Sequence, residues 1–184
     1  DNIGSQLTFI TSSMDNLKFI SKEEKVNDKL DGLTDFTRDT ITQLRDTIWA
    51  MNKGQITLDD FQGRLFNFII GARNSSVNTS IDFDQNIESK SLAFSAEQGI
   101  NLFRMVQESI NNAIKYAMSS NIRIHMIEEN EIIKLCIIDD GIGFNKTEIQ
   151  YENGIKNMKY RANEISADFQ ITSSKESGTR IEIS

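Results

Sequence analysis

The sequence is poor in several residue types, and their scarcity limits what the protein can be. Among its 184 residues there is one cysteine, Cys136, one histidine, His125, and no proline. A single cysteine excludes an internal disulfide framework and fits a reducing compartment. The longest apolar runs, such as Phe68–Ile70, are far too short to cross a bilayer.

Basic residues are also scarce. The sequence has 20 lysine and arginine residues and 27 aspartate and glutamate residues, which gives a net charge of −7. This balance argues against a nucleic-acid-binding protein, which would normally carry a basic surface. Hydrophobic residues make up 38% and charged residues 26%, as in ordinary globular proteins. The length allows one large domain or two small ones. Since the chain opens on Asp1 and not on methionine, we expect a piece of a longer protein.

Residues 1–53 show two stretches in which apolar residues alternate at spacings of three and four, which predicts two amphipathic helices. The apolar positions are Ile3, Leu7, Ile10, Met14, Leu17 and Ile20, then Leu30, Leu33, Phe36, Ile41, Leu44, Ile48 and Met51. A polar loop over residues 21–27 separates the helices, and Gly54 follows the second. Each apolar seam needs a partner, so we expect a helical hairpin that pairs with a second copy in a dimeric four-helix bundle. A hairpin packed on the rest of the same chain is the alternative.

Residues 54–184 show the pattern of an α/β sandwich. The predicted helices cover residues 58–73, 95–117 and 154–167, and the predicted strands cover residues 77–83, 121–127, 132–139, 169–173 and 179–183. Thr57 and Ser95 are suited to cap the first two of these helices. The near-continuous apolar run in 132–139 favours a strand covered on both faces. The order of elements predicts a mixed sheet covered by helices on one face, and an α+β chain overall.

A polar stripe runs along the predicted helix over residues 95–117. Glu108, Asn112 and Lys115 follow one another at i, i+4 and i+7, and Asn111 and Tyr116 flank them. A solvated helix face is the ordinary interpretation of such a stripe. Two adjacent asparagines are unfavourable inside a helix, however, which indicates that a function retains them.

A glycine-bearing turn, Asp139-x-Gly141-x-Gly143, follows the apolar strand 132–139. Glycines at such a point let the backbone come close to a ligand. A carboxylate at a strand end can accept hydrogen bonds from an exocyclic amine. Many turns after strands look similar, so this pattern alone has little specificity.

Two further glycines open predicted elements. Gly154 starts the helix that contains Ile155 and Met158, and Gly178 precedes Thr179 at the start of the last strand. Backbone N–H groups at a helix start can bind phosphate. Taken singly, a helix cap and an ordinary strand start explain these glycines equally well.

In this order, the motifs resemble the ATP-binding domain of sensor histidine kinases, a GHKL-type ATPase with the Bergerat-type fold shared with MutL and type II topoisomerases. The resemblance implies ATP and Mg²⁺ as cofactors. The implied cofactor-binding residues are Asn111, Asn112, Lys115, Tyr116, Asp139, Gly141, Gly143, Gly154, Ile155, Met158 and Thr179. Tyr116 stands where many relatives have histidine.

The predicted hairpin narrows the resemblance to the DesK/NarX-like subfamily of sensor kinases. Residues 1–8 resemble the stretch that directly follows the phosphoacceptor histidine, and residues 45–52 resemble the end of the second dimerisation helix. The resemblance therefore places the acceptor histidine just before Asp1. His125 lies on a predicted strand and is interpreted as an ordinary sheet histidine.

The resemblance also implies a role for each part. Asp1 would assist the acceptor imidazole, Glu108 would act as a base or a neighbour of Mg²⁺, Asn112 would be the metal ligand, and Asp139 would bind the adenine amino group. Lys115 and the N–H groups near Gly154 would face phosphates, under a lid formed by residues 144–153. Residues 1–53 would be the dimerisation and histidine-phosphotransfer domain, and residues 54–184 the catalytic domain.

The implied partners are a second copy of the chain and the receiver domain of a response regulator, without nucleic acid. We expect a cytoplasmic location, with any membrane attachment through upstream segments. Three other functions stay open on the sequence. They are a nucleotide-sensing or scaffolding dimer without phosphoryl transfer, an ATP-driven conformational machine of the MutL kind, and a protein-serine kinase of the same fold.

Overall fold

The computed structural model describes residues 2–21, 23–76, 78–89, 92–130, 132–145 and 153–184. The chain divides into two compact units, Asp1–Lys53 and Gly54–Ser184. The second unit begins at the glycine that follows the second predicted helix. The roles assigned to the two units stay predictions.

The first unit consists of helix α1 (Asn2–Ile20) and helix α2 (Glu24–Met51), which pack side by side. At the exposed edge of this contact, Lys18 Nζ lies 2.6 Å from Asp31 Oδ1. Helix α2 begins inside the stretch predicted as a loop. The backbone N–H groups of Val26 and Asn27 already bond to the Glu23 carbonyl, so charged residues without apolar periodicity form its first turn.

Only part of the predicted apolar seam is covered within the first unit. Met14 is half-buried, and its sulfur lies 3.8 Å from the hydroxyl of the buried Thr34. Ile3, Ile10 and Leu17, on the neighbouring face of α1, are 61%, 40% and 55% exposed. Thr34 and Thr37 of α2 are buried, although the sequence pattern places the apolar seam at other positions. An apolar face is therefore left uncovered.

The second unit contains three helices and seven strands among the residues that the structure describes. They are β1 (Gln55–Thr57), α3 (Leu58–Ser75), β2 (Ser80–Asn86), β3 (Ala93–Ser95), α4 (Ala96–Lys115), β4 (Asn121–Glu129), β5 (Ile132–Asp139), α5 (Asn153–Glu164), β6 (Phe169–Ser173) and β7 (Thr179–Ile183). The main sheet has the order β2-β4-β5-β7-β6, with β2 parallel to β4 and the other neighbours antiparallel. The predicted mixed sheet and the α+β class are confirmed.

Side-chain caps fix the starts of two helices, as predicted. The Thr57 hydroxyl accepts a hydrogen bond of 3.1 Å from the Asp60 N–H at the start of α3. Ser95 and Gln98 form a reciprocal capping box at the start of α4, with hydrogen bonds of 3.1 and 2.9 Å. Such caps satisfy N–H groups that have no partner inside the helix.

Several element boundaries differ from the prediction. Strand β2 covers residues 80–86 and not 77–83, because its pairing with β4 begins at Ser80 opposite Asn121; Val77 lies outside the described residues. Helices α4 and α5 end two and three residues before the predicted 117 and 167. After α5, Ser166 takes a positive φ of 56°, which ends the helical backbone.

The sequence analysis did not predict the small antiparallel sheet of β1 and β3. Each strand has three residues, and the buried Ile56 stands opposite Phe94. A strand this short shows too few alternations for its period to be recognised. The pairing joins the segment before α3 to the segment before α4.

The main sheet has one buried face and one polar face. The buried face carries the apolar residues Ile122, Ile124, Met126, Leu135, Ile137, Ile181 and Ile183. The prediction that strand 132–139 is covered on both faces is wrong, since Cys136 and Ile138 on its other face are only half-buried. That face carries His125 and Glu182 on either side of Cys136, a polar row that no helix covers in the described part of the unit.

Candidate functional site

A cavity of about 180 Å³ lies beside the buried face of the sheet, where helices α4 and α5 meet strands β5, β6 and β7. Seven residues that the sequence analysis singled out line it: Asn112, Tyr116, Asp139, Gly143, Ile155, Met158 and Thr179. Residues from four separate segments of the chain therefore converge there. Of the other predicted residues, Asn111 is half-buried and Lys115 is exposed, and neither lines the cavity.

Asp139, the last residue of β5, is the carboxylate of this cavity and is only 9% exposed. Its Oδ1 accepts a hydrogen bond of 2.9 Å from the Gly141 N–H. Burial raises the pKa of the Asp139 carboxyl, and hydrogen bonds from Gly141 and from the N–H and hydroxyl of Thr179 partly oppose this effect. A buried carboxylate in an apolar cavity is well suited to accept a hydrogen bond from an amine donor.

The glycines around Asp139 are required by the packing of the protein's own backbone. A side chain on Gly141 would collide with the Ala117 carbonyl oxygen. Gly143 and Gly178 have positive φ values of 58° and 71°, and a side chain on either would collide with a carbonyl oxygen, of Ser174 and of Asp139 respectively. Close contacts between segments of the protein itself therefore require these three glycines, and the expected approach of a ligand to Gly141 and Gly143 stays a prediction.

Gly154 brings the start of α5 against the polar stripe of α4. A side chain on Gly154 would collide with Oε1 of Glu108 and would lie 3.5 Å from Nδ2 of Asn112. Both α4 side chains are half-buried. Backbone N–H groups at the start of α5 therefore lie beside a carboxylate and an amide.

A second contact joins the same two helices further along. Arg161 Nη1 donates a hydrogen bond of 3.1 Å to Oδ1 of the buried Asn101. Asn101 precedes Glu108 by seven residues, and Arg161 follows Gly154 by seven. Two contacts with equal spacing on both helices indicate antiparallel packing in one register. The sequence analysis had singled out neither Asn101 nor Arg161 as a site residue.

Sequence reasoning also missed half of the cavity wall. The additional lining residues are small or apolar: Ser109, Ala113, Ala117, Ile142, Phe144, Ile171 and Ile181. Ile171 and Ile181 stand opposite each other on β6 and β7. The alternation of these strands predicts an inward-facing side chain at both positions, but it does not show that the space between them and α4 stays open.

Two predicted features lie outside the described residues. Asp1 is one, and residues 146–152, most of the predicted lid, are the other. Within the described ranges, no group of three or more histidine, cysteine, aspartate or glutamate side chains could hold a metal ion. His125 lies on β4, where its Nδ1 is 3.5 Å from Asp84 Oδ2.

Comparisons with known proteins identify the relatives of this site. Residues 97–184 match the family of histidine kinase-, DNA gyrase B- and HSP90-like ATPases. The sensor protein VraS of Staphylococcus aureus is 39% identical over 93 residues, which span 49% of this chain and 27% of that protein. The chain is therefore similar to sensor histidine kinases, and residues 97–184 carry the ATPase domain of this family. VraS of Staphylococcus haemolyticus and of Staphylococcus saprophyticus match with the same identity and coverage.

Solved structures share the fold of this chain. The histidine kinase domain of the blue-light activated histidine kinase EL346 from Erythrobacter litoralis has a TM-score of 0.65 at 12% identity, covering 97% of this chain and 93% of that one. The Acinetobacter baumannii histidine kinase AdeS has a TM-score of 0.60 at 12% identity, covering 96% and 93%. The family match implies that the domain binds ATP. The narrower DesK/NarX-like subfamily stays a prediction.

This chain spans 27% of the length of VraS, so the curated relatives that it matches are much longer proteins. Across the described ranges, no helix is both long and apolar enough to cross a membrane.

Proposed function

We propose that the chain is the kinase core of a two-component sensor. It binds Mg²⁺-ATP, transfers the γ-phosphate to a histidine just upstream of Asp1, and passes it on to an aspartate of a response regulator. The observation that carries the proposal is the buried carboxylate of Asp139 in an apolar cavity that Asn112 also lines, with the Gly154 helix start beside Asn112.

The cavity supports adenine binding by its chemistry. Apolar side chains such as Ile155, Met158 and Ile181 would cover the faces of a flat ring, and Asp139 would accept a hydrogen bond from the adenine amino group. Thr179 sits beside that carboxylate and would position it. Tyr116, 69% exposed, would lie at the rim.

The other end of the site supports binding of the phosphates and Mg²⁺. Mg²⁺ prefers hard oxygen ligands and is commonly held by one or two protein groups together with substrate phosphates. Asn112 would supply such an oxygen without adding negative charge. Residues 54–184 carry 13 basic and 18 acidic residues, hence a net charge of −5, so a neutral ligand limits the repulsion of the phosphates.

Three residues of the second unit complete the proposed nucleotide site. Backbone N–H groups at Gly154 and the ammonium of Lys115 would face phosphate oxygens. Glu108, beside Gly154, would act either as a general base or as a neighbour of the metal. Asp1 would orient the acceptor imidazole or take its proton. The bound metal supplies charge neutralisation between the phosphates.

The first unit would form the dimer and carry the acceptor. The exposed apolar residues Ile3, Ile10 and Leu17 of α1, with Leu33 and Phe36 of α2, would pack against a second copy in a four-helix bundle. The upper half of that bundle would dock the receiver domain. We place this kinase core in the cytoplasm, with any membrane anchor upstream of Asp1.

Autophosphorylation tests the proposal. The chain, extended upstream by some tens of residues of its parent protein, is incubated with γ-labelled ATP and Mg²⁺. The expected product carries acid-labile, base-stable label, as phosphohistidine does. Asp139→Asn should lose the label, because an amide in place of the carboxylate offers the adenine amine a poorer acceptor.

The control variant is Asp168→Asn, the same substitution at another aspartate of the second unit, on the far edge of the polar sheet face. It should keep the label. Tight ATP binding without any label would contradict phosphoryl transfer and favour a nucleotide-sensing scaffold. Equal labelling of the wild type and Asp139→Asn would contradict the proposed role of Asp139.

A further inference from the structure

Ser173, the last residue of β6, connects three segments around the cavity without lining it. Its half-buried hydroxyl oxygen accepts a hydrogen bond of 3.0 Å from the Phe144 N–H, in the turn after β5. The same hydroxyl lies 2.8 Å from the Gly178 carbonyl oxygen and 3.2 Å from Thr179 Oγ1, at the start of β7. The Ser173 side chain therefore contacts both the turn that carries Gly143 and Thr179, the residue beside Asp139.

Thr179 connects Ser173 to the carboxylate of Asp139. The Ser173 hydroxyl has one proton, which it donates to the Gly178 carbonyl oxygen, and its oxygen accepts from the Phe144 N–H. Its oxygen also lies within hydrogen-bonding distance of Thr179 Oγ1, 3.2 Å away. Hydrogen bonds from the N–H and hydroxyl of Thr179 in turn oppose the rise that burial causes in the pKa of Asp139. Ser173 therefore acts on Asp139 through one intervening residue.

We propose that Ser173 is a positioning residue for nucleobase recognition, whose hydroxyl holds the Thr179 hydroxyl and the Phe144 turn in the arrangement that aims Asp139 at the base. This inference rests on the proposed function, because it assumes that Asp139 binds adenine. It adds a residue that touches neither the base nor the phosphates.

The fold does not depend on Ser173 alone. The turn after β5 is also tied by the Glu176 N–H, which donates a hydrogen bond of 2.7 Å to the Ile142 carbonyl. The pairing of β6 with β7 continues over five residues, from Phe169 opposite Ile183 to Ser173 opposite Thr179. Removing the hydroxyl should therefore loosen the orientation of Thr179 and Asp139 more than it weakens the sheet.

The test compares the binding of ATP and inosine triphosphate, in which a carbonyl replaces the adenine amine. The wild type should prefer ATP, because the inosine carbonyl would face a carboxylate with no proton between them. Ser173→Ala should reduce that preference roughly tenfold, about the value of one well-placed hydrogen bond. Ser173→Thr, which keeps the hydroxyl, should restore most of it.

Ser174→Ala is the matched control, since Ser174 is the neighbouring, exposed serine. It should leave both affinities unchanged. Thr179→Val should reduce the preference like Ser173→Ala, and the double variant should be little worse than either single one, because both remove the same chain of hydrogen bonds. If Ser173→Ala does not fold, Ser173→Cys, with a similar volume and a weak donor, takes its place.

The outcomes separate this inference from the proposed function. A wild type that binds both nucleotides equally contradicts adenine binding by Asp139, and the inference is overturned with it. A wild type that prefers ATP, together with a Ser173→Ala variant that keeps the full preference, overturns the inference alone. If Ser173→Ala weakens the binding of ATP and of inosine triphosphate equally and also lowers the melting temperature, the role of Ser173 is merely structural.

Discussion

Glu108 and Gly154 face each other across helices α4 and α5, and the carboxylate occupies the space that a side chain on Gly154 would need. Seven residues away on each helix, Arg161 donates to Asn101. Together these two contacts align the start of α5 with the polar stripe of α4. The alignment brings a carboxylate, an amide and the N–H groups of a helix start to one point, and the proposed binding of phosphates and Mg²⁺ depends on this arrangement.

Gly154→Ala tests whether this proximity matters for phosphoryl transfer. The new methyl group should displace the flexible Glu108 carboxylate and crowd Asn112, while alanine suits the helix better than glycine. We expect an unchanged or slightly higher melting temperature, together with a rate of autophosphorylation reduced roughly tenfold to a hundredfold by misplacement.

Gly71→Ala is its control, because Gly71 lies on α3 with open space around its Cα. This variant should gain about 1 kcal/mol of stability and keep the full rate. A Gly154→Ala variant with wild-type rate would show that the position of Glu108 is not critical.

The motifs and the order of elements were predictable from the sequence because each is local. The caps at Thr57 and Ser95 and the strands 169–173 and 179–183 depend on neighbouring residues, and all were confirmed. Seven of the candidate site residues line one cavity, although their chemical roles stay predictions.

Other features were not predictable, because they depend on contacts between distant segments. The bond between Arg161 and Asn101 joins residues 60 positions apart, and the contacts of Ser173 depend on the pairing of β6 with β7 and on the turn after β5. The glycine requirement at Gly178 comes from the Asp139 carbonyl. No spacing pattern in a single sequence encodes such contacts.

Arg161→Ala should weaken the packing of α5 on α4. It leaves the buried Asn101 oxygen without this donor, so we expect the free energy of unfolding to fall by about 1 to 2 kcal/mol. A double-mutant cycle with Asn101→Ala, measured by urea unfolding, should give a coupling of at least about 0.5 kcal/mol. Additive effects of the two substitutions would show that the hydrogen bond contributes no stability of its own.

The raised pKa of Asp139 predicts how stability depends on pH. Burial is the main cause, so protonation of this carboxyl favours the folded state more than the unfolded one. Its stabilising contribution is fully present below the ordinary aspartate value of 3.8 and is lost as the pH rises through the raised pKa. As the pH falls from neutral, the free energy of unfolding of the wild type should therefore increase relative to that of Asp139→Asn.

Urea unfolding of both proteins between about pH 7 and pH 4 measures this difference, and the titration of the other groups cancels between the two variants. A constant difference would mean that the pKa of Asp139 is not shifted by folding. If the difference moves in favour of Asp139→Asn as the pH falls, the hydrogen bonds from Gly141 and Thr179 outweigh the cost of burial. The pKa of Asp139 would then be lowered and not raised.

The uncovered apolar face of the first unit predicts self-association. Ile10 and Leu17 lie two turns apart on α1, 40% and 55% exposed, and the proposed dimer would bury both. Ile10→Asp would place an unpaired carboxylate in that interface and should raise the dimer dissociation constant roughly a hundredfold or more, since such a charge costs several kcal/mol. Analytical ultracentrifugation measures the change.

Ser12→Asp, at an exposed polar position of the same helix, should leave the dimer intact. A wild type that sediments as a monomer at every concentration would contradict the proposed dimer. Equal dissociation of both variants would show that the effect of Ile10→Asp does not come from burial of this apolar face.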